Sequence, residues 1–163
     1  MRRLKSGERR ALERFLSSMG LSLEEVAANP MALEVPGARY VELFDVPEWA
    51  LEVLELLPSH YAAGLYLGYV EKGRFKPGLP LARRLSELCG ERVKCIVVNE
   101  AGEKRFLYGR TLRERHLVEW ARGVAVVVNA RGEPLGWARG VEKSGERMAT
   151  PIRDLGWYLR RGG

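Results

Sequence analysis

Val124-Ala125-Val126-Val127-Val128, Asn129-Ala130-Arg131-Gly132 and Leu135-Gly136-Trp137-Ala138-Arg139-Gly140-Val141 follow one another as an apolar β-branched run, a polar turn and a second apolar run. Branched side chains suit a pleated strand, and Asn and Gly suit the turn, so the stretch predicts a hairpin. Gly132, Gly136 and Gly140 recur every fourth residue, which reads as turn and close-packing glycine rather than as a phosphate-binding loop. Upstream, Val93 to Val98 and Lys104 to Tyr108 read as strands around the turn Asn99-Glu100-Ala101-Gly102, and a helix is expected from Leu112 to Trp120. Downstream, Ser144-Gly145-Glu146 turns the chain into strand-like pieces at Met148 to Ile152 and Trp157 to Arg160. Many short strands with one helix predict a small β-barrel.

The first part of the chain has a different texture. Gly7 to Met19 reads as an amphipathic helix with Ser6 as its cap, and Ser22-Leu23-Glu24-Glu25 is a capping box that opens a short second helix. Met31 to Val35 and Tyr40 to Phe44 flank the turn Pro36-Gly37-Ala38 as two strands. Asp45-Val46-Pro47-Glu48 starts a helix whose buried side is expected to be Trp49, Val53, Leu54, Leu56 and Leu57, with Pro58 ending it. A strand over Ala63 to Val70, continuing the alternation from Tyr61, an edge strand from Phe75 to Leu81 and a helical turn or two up to Leu88 complete this part. With 163 residues the chain has room for one large domain or two small ones. The change of texture near Gly90 to Arg92 divides it into an N-terminal α/β domain, 1–91, with an antiparallel sheet and helices, and a C-terminal β-pseudobarrel, 92–163. The fold class expected is α+β.

Charge follows the same division. Residues 95–163 hold 13 basic and 8 acidic side chains, whereas residues 1–94 hold 14 and 13. Residues 21–70 carry eight acidic side chains against one basic, Arg39. With a net charge of +6 and a pI near 9.6, an anionic partner is expected for the C-terminal part, nucleic acid first, while the acidic stretch should face away from it. Arg outnumbers Lys 21 to 6 and Gln is absent, a bias that a GC-rich genome or a hot habitat also produces, but such a bias does not segregate charge along the chain.

Enzymatic readings find little support. His60 and His116 stand outside any metal-ligand or acid–base spacing and read as surface or packing residues, and no P-loop, nucleophile elbow or dinucleotide fingerprint is present. No catalytic residue, metal or cofactor is therefore expected. Cys89 and Cys95 are too few for a disulfide framework and are not spaced as a zinc half-site, so they read as reduced, buried thiols in a cytosolic setting. The N-terminal Met1-Arg2-Arg3-Leu4-Lys5 runs on without an apolar signal core, and no membrane segment is expected.

Arg139, Lys143, Arg147, Arg153, Arg160 and Arg161 lie within 23 positions, interleaved with Trp137, Trp157 and Tyr158. Brought to one face, they would grip phosphates and stack on unpaired bases; an ordinary solvated, Arg-rich surface is the competing reading. Phe106-Leu107-Tyr108-Gly109 and Glu133-Pro134-Leu135-Gly136-Trp137 resemble a PUA domain, a small RNA-binding pseudobarrel. More closely, the chain resembles an archaeal-type member of the Nip-seven family of large-subunit ribosome-biogenesis factors. That resemblance adds the Leu112 to Trp120 helix, the Val124 to Val128 strand, Ile152-Arg153-Asp154-Leu155-Gly156-Trp157-Tyr158-Leu159 and, upstream, Leu67-Gly68-Tyr69-Val70-Glu71-Lys72-Gly73-Arg74-Phe75, where Arg74 replaces the family's Lys.

The resemblance implies a pre-PUA domain followed by a PUA domain. It implies a non-catalytic factor that binds RNA, ribosomal RNA of the large subunit, through the basic PUA face and meets assembly or RNA-processing proteins through its N-terminal domain. A cytoplasmic monomer is expected, nucleolar or nuclear in a eukaryote. The alternatives are an RNA-modifying enzyme or its detached targeting module, and a purely protein-binding scaffold. Phe106, Tyr108 and Gly109 are expected to shape the barrel rather than to touch RNA.

Overall fold

A computed structural model of the chain describes residues 1–56, 63–156 and 160, and divides it into two compact units, Met1–Leu81 and Ala82–Gly163. The expected Pro58 stop, His60, Tyr61 and the residues Leu57, Trp157, Tyr158 and Arg161 lie outside the described residues.

In the first unit, β1 (Arg2–Arg3), α1 (Ser6–Ser17), α2 (Leu23–Val26), β2 (Pro30–Glu34), β3 (Tyr40–Asp45), α3 (Glu48–Leu56), β4 (Leu65–Glu71) and β5 (Arg74–Pro77) follow in chain order. The strands form one antiparallel sheet in sequence order. Because side chains alternate across a strand, Leu43 and Phe44 serve opposite faces. The Leu43 face, which includes Phe75, receives α1, with the Phe15 ring 5.0 Å from that of Phe75 and tilted 55° to it. The Phe44 face receives α3 together with Met31, Leu33 and Tyr66. The Ser22–Glu25 capping box forms as expected: the Ser22 amide donates to Glu25 Oε2 (2.8 Å) and the Glu25 amide to Ser22 Oγ (3.4 Å). At α1 the cap position is Lys5 rather than Ser6. The cause is Glu8, nearly buried, whose carboxylate accepts from the Lys5 amide (2.7 Å) and is gripped by both ends of the Arg2 guanidinium (2.7 and 2.8 Å). That grip holds the Glu8 carboxyl below the usual carboxylate range, against the opposing effect of burial.

The expected orientation of α3 is reversed at three positions. Trp49, Val53 and Leu56 are 73%, 48% and 84% exposed, and it is Ala50, Leu51 and Leu54 that pack on the sheet. The helix is apolar on both sides, so periodicity cannot decide which side turns inward.

Helix α4 (Leu79–Ser86) crosses from the first unit into the second. The second unit continues with β6 (Ile96–Val98), α5 (Glu100–Leu107), β7 (Leu112–Arg113), a 3₁₀ turn at Glu114–His116, β8 (Leu117–Glu119), β9 (Gly123–Asn129), β10 (Pro134–Lys143) and β11 (Glu146–Asp154). Its sheet runs β7-β11-β10-β9-β6-β8, parallel between β6 and β9 and antiparallel elsewhere, and curls into a nearly closed barrel. Phe106 on α5 is fully buried in the core with Ile96, Leu112, Val127 and Ala149.

Helix and strand are exchanged here relative to expectation. Asn99-Glu100-Ala101-Gly102 is a helix start rather than a turn: Asn99 Oδ1 accepts from the Gly102 amide (2.9 Å), and α5 runs through the residues expected as a strand. The expected helix over Leu112 to Trp120 is instead two short strands about a 3₁₀ turn, because Leu117 and Glu119 pair with Val98 and Val97 and Leu112 pairs with Ala149. Sheet pairing overrides helical propensity there. Phe75 to Leu81 splits into β5 and the start of α4, and Arg160 is helical rather than extended.

The cysteines are bonded to each other, not reduced. The turn after α4, in which the Arg92 and Val93 amides donate to the Leu88 carbonyl (3.0 and 2.9 Å), folds Cys89 back to a Cα separation of 5.6 Å from Cys95. For so short a loop, chain entropy assigns the bond about 2 kcal/mol. Reduction with dithiothreitol, or Cys89→Ser, is therefore expected to lower the thermal unfolding midpoint, and equal midpoints with and without reductant reject the bond. Buried His116 accepts from the Arg113 amide through Nδ1 (3.0 Å), and burial, then Arg115, Arg105 and Arg113, push its pKa below 6.5. As pH falls through about 6.5 the unfolded chain takes up a proton that the folded chain refuses, so stability is lost on acidification. His116→Asn, whose Oδ1 can stand in for Nδ1, should flatten denaturant midpoints measured between about pH 7.5 and 5.5.

Candidate nucleic-acid interface

The hairpin of β10 and β11 carries most of the predicted contacts, and two glycines set its surroundings. At Gly136, with φ at +147°, a Cβ would meet the Arg153 carbonyl; at Gly140 it would meet the Ala121 carbonyl and come within 3.2 Å of Trp120 Nε1. Both are the close-packing glycines expected from the sequence, and Gly132 (φ +79°) is the turn glycine. Through Gly140 the Trp120-Ala121 segment lies directly on the ribbon, where the Trp120 indole donates to the Met148 carbonyl (3.0 Å).

Strand register then sorts the cations. Residues opposite each other in an antiparallel pair share a face. Arg139 faces Thr150 and Val124, Lys143 faces Glu146, and Arg153 faces Trp137, all on one side of the ribbon. Arg139 and Lys143 are exposed and form no ion pair among the described residues. Arg113, opposite Met148 on the same side, adds a cation that reaches Glu146 at 3.3 Å.

Arg147 lies on the other side, opposite Glu142. Its guanidinium sits 5.4 Å from the Trp120 ring centre and that of Arg122 sits 5.5 Å from it, with Arg122 also paired to Glu142 at 2.7 Å. Stacking on an indole holds a guanidinium in place while leaving its donors available. A recess of about 570 Å³ adjoins this stack, lined by Arg92, Lys94, Trp120 and Arg147 along with Glu91 and Glu119.

Comparison with known proteins matches this barrel. The family model described as UPF0113 PUA domain covers residues 94–163, and a UPF0113 protein of Aeropyrum pernix is 43% identical over 156 residues, 96% of this chain and 89% of its own. The chain belongs to the UPF0113 family. A solved structure, described as a conserved PUA domain protein from Thermoplasma acidophilum, aligns with a TM-score of 0.62 over 99% of this chain and 97% of that one; at 13% identity the likeness shows the shared fold. PUA domains generally bind RNA, which supports an RNA-binding role for this UPF0113 member.

The six predicted contacts are thus not all brought to one surface. Arg139, Lys143 and Arg153 share a side, Arg147 takes the other, and Arg161 is not described. Arg160 is occupied within the UPF0113 barrel itself. Both of its terminal nitrogens donate to the buried Asp154 carboxylate (3.0 and 2.9 Å), and one of them also donates to the Leu107 carbonyl at the end of α5. It ties the end of β11 to α5 and is a structural cation. Arg113, Trp120 and Arg122 do not stand out in the sequence, because 112–120 reads as a helix; the Trp-Ala-Arg run at 120–122 is the one local signal for them. Arg160→Ala is expected to lower the denaturant midpoint, because it leaves the buried Asp154 carboxylate short of its partner, and to leave the salt dependence of RNA binding unchanged. Denaturant unfolding and RNA titration of the same variant check both; a reduced salt slope at full stability would restore Arg160 to the interface.

Proposed function

We propose that this protein is a non-catalytic RNA-binding factor of large ribosomal subunit biogenesis and rRNA maturation, acting as a cytoplasmic monomer without a cofactor. The observation that carries the RNA contact is the pair of exposed cations, Arg139 and Lys143, which form no ion pair among the described residues on the β10–β11 ribbon of a PUA barrel. Arg153 beside them and Arg147 on Trp120 extend the cationic surface round the ribbon. The ribosomal assignment rests on the resemblance of residues 67–75, 106–109, 124–128, 134–136 and 152–159 to the Nip-seven pattern, and the N-terminal unit, acidic over 21–70, serves protein contacts in this reading. The disulfide is compatible with an intracellular setting in heat-adapted organisms, whose intracellular proteins are often disulfide-rich, and the Arg-rich, Gln-free composition points the same way.

Charge reversal tests the contact. Arg139→Glu with Lys143→Glu should weaken binding to a structured or single-stranded RNA by at least about tenfold near 0.1 M salt. It should also shrink the slope of log affinity against log salt by roughly 0.7 to 0.9 for each phosphate that the variant no longer neutralises. Fluorescence anisotropy over a salt series reads both quantities, and an unchanged slope rejects this surface. Turnover of a ribosomal RNA fragment by the purified protein would favour the RNA-modifying reading instead.

A further inference from the structure

Among the described residues, helix α3 leaves one apolar stripe uncovered. Trp49, Val53 and Leu56 stand at i, i+4 and i+7 on its outward side, exposed by 73%, 48% and 84%, while Ala50, Leu51 and Leu54 bury the inward side on the sheet. Single exposed apolar residues are ordinary, but a tryptophan, a valine and a leucine aligned on one helix make a continuous patch, and exposed Trp is the side chain most often found to anchor an interface. Glu48 precedes the stripe, Glu52 lies within it, and both are exposed. They belong to the segment 21–70 with its eight acidic residues and one basic residue.

The charge selects the occupant. A polyanion such as RNA is repelled, as is the anionic surface of a lipid leaflet. In a second copy of the chain docked about a two-fold axis the same carboxylate-flanked stripe would meet itself, and α3 has no basic residue to offset Glu48 and Glu52. An apolar stripe with carboxylates beside it is complementary to an amphipathic helix that presents aliphatic residues flanked by Lys or Arg. We propose that the outward face of α3 is the docking site for a basic amphipathic helix of a partner protein, with Trp49, Val53 and Leu56 as the apolar seam and Glu48 and Glu52 as the charged flank. This deepens the protein-facing reading of the N-terminal unit and is independent of the RNA contacts on the barrel.

The test uses the full chain, isotope-labelled, titrated with a synthetic Leu–Lys peptide of helical periodicity, and with two controls: a scrambled Leu–Lys peptide without an apolar face and a matched Leu–Glu peptide. The expected result is saturable shifts of the Trp49 indole and of the α3 amides with the first peptide alone. Affinity should fall at least about tenfold in Trp49→Ala and in Leu56→Ala, the loss typical of interface anchors, and binding should vanish in Glu48→Lys/Glu52→Lys. Since both alanine changes remove exposed side chains, spectral dispersion and unfolding midpoints should stay at the parent values. If a variant fails to fold, Val53→Gln supplies the same measurement. Equal binding of the scrambled or Leu–Glu peptide, or no shift on α3, overturns the proposal. So does a dimer in sedimentation that Leu56→Ala dissolves, or binding to phosphatidylglycerol vesicles that Leu56→Ala abolishes and Arg139→Glu/Lys143→Glu leaves intact. Saturable shifts confined to another element of the N-terminal unit overturn the α3 site while leaving the protein-facing reading intact.

Discussion

The bare backbone at Gly136 and Gly140 is the constraint on which the candidate interface depends. At Gly140 the absence of a side chain lets the Ala121 carbonyl rest on β10, which seats Trp120 against the ribbon and provides the ring that Arg122 and Arg147 share. At Gly136 it lets the end of β11 close on β10 at a φ that side chains rarely adopt, bringing Asp154 into the barrel wall opposite the glycine. Both contacts are backbone against backbone, so no rotamer change could relieve an added methyl group. They set the backbone positions from which the ribbon's cations project.

Arginine plays two distinct parts in this barrel. Arg160 neutralises a carboxylate that is almost wholly buried and also closes the C-terminal end of α5, so its charge is consumed in holding the fold. Arg139 and Lys143 form no ion pair among the described residues, although Glu146 lies opposite Lys143. Counting basic residues along the chain merges the two kinds; only the location of Asp154 tells them apart. The Trp120 stack is intermediate, since Arg122 is shared with Glu142 while Arg147 is held by the ring alone among the described contacts.

The N-terminal unit uses apolar surface in a similarly divided way. Its sheet is covered on the Leu43 face by α1 and on the Phe44 face by α3, so each face of the sheet has a helix on it. The outward stripe of α3 is left over after that packing is complete. Its exposure is therefore not a consequence of a sheet face left bare among the described residues.

Much of the architecture was legible from local chemistry. The strand pair around Asn129 to Gly132, the Ser22–Glu25 box, the hairpin at Pro36 to Ala38 and the segregation of charge depend on neighbours within a few residues, and the resemblance of the FLYG and Pro-Leu-Gly stretches pointed to the PUA barrel that the family match then showed. What depends on partners far away in sequence was decided by tertiary structure. Leu112 to Trp120 gave up its helical pattern because Val98 and Ala149 offered sheet pairing, and Asn99 began a helix because Phe106 had a barrel interior to fill. The turn after α4 brought Cys89 to Cys95, α3 chose between two equally apolar sides, and Asp154 claimed Arg160. Local propensities amount to tenths of a kcal/mol per residue, whereas burying a side chain or satisfying a buried charge is worth several times that, so wherever the two disagreed the distant partner prevailed.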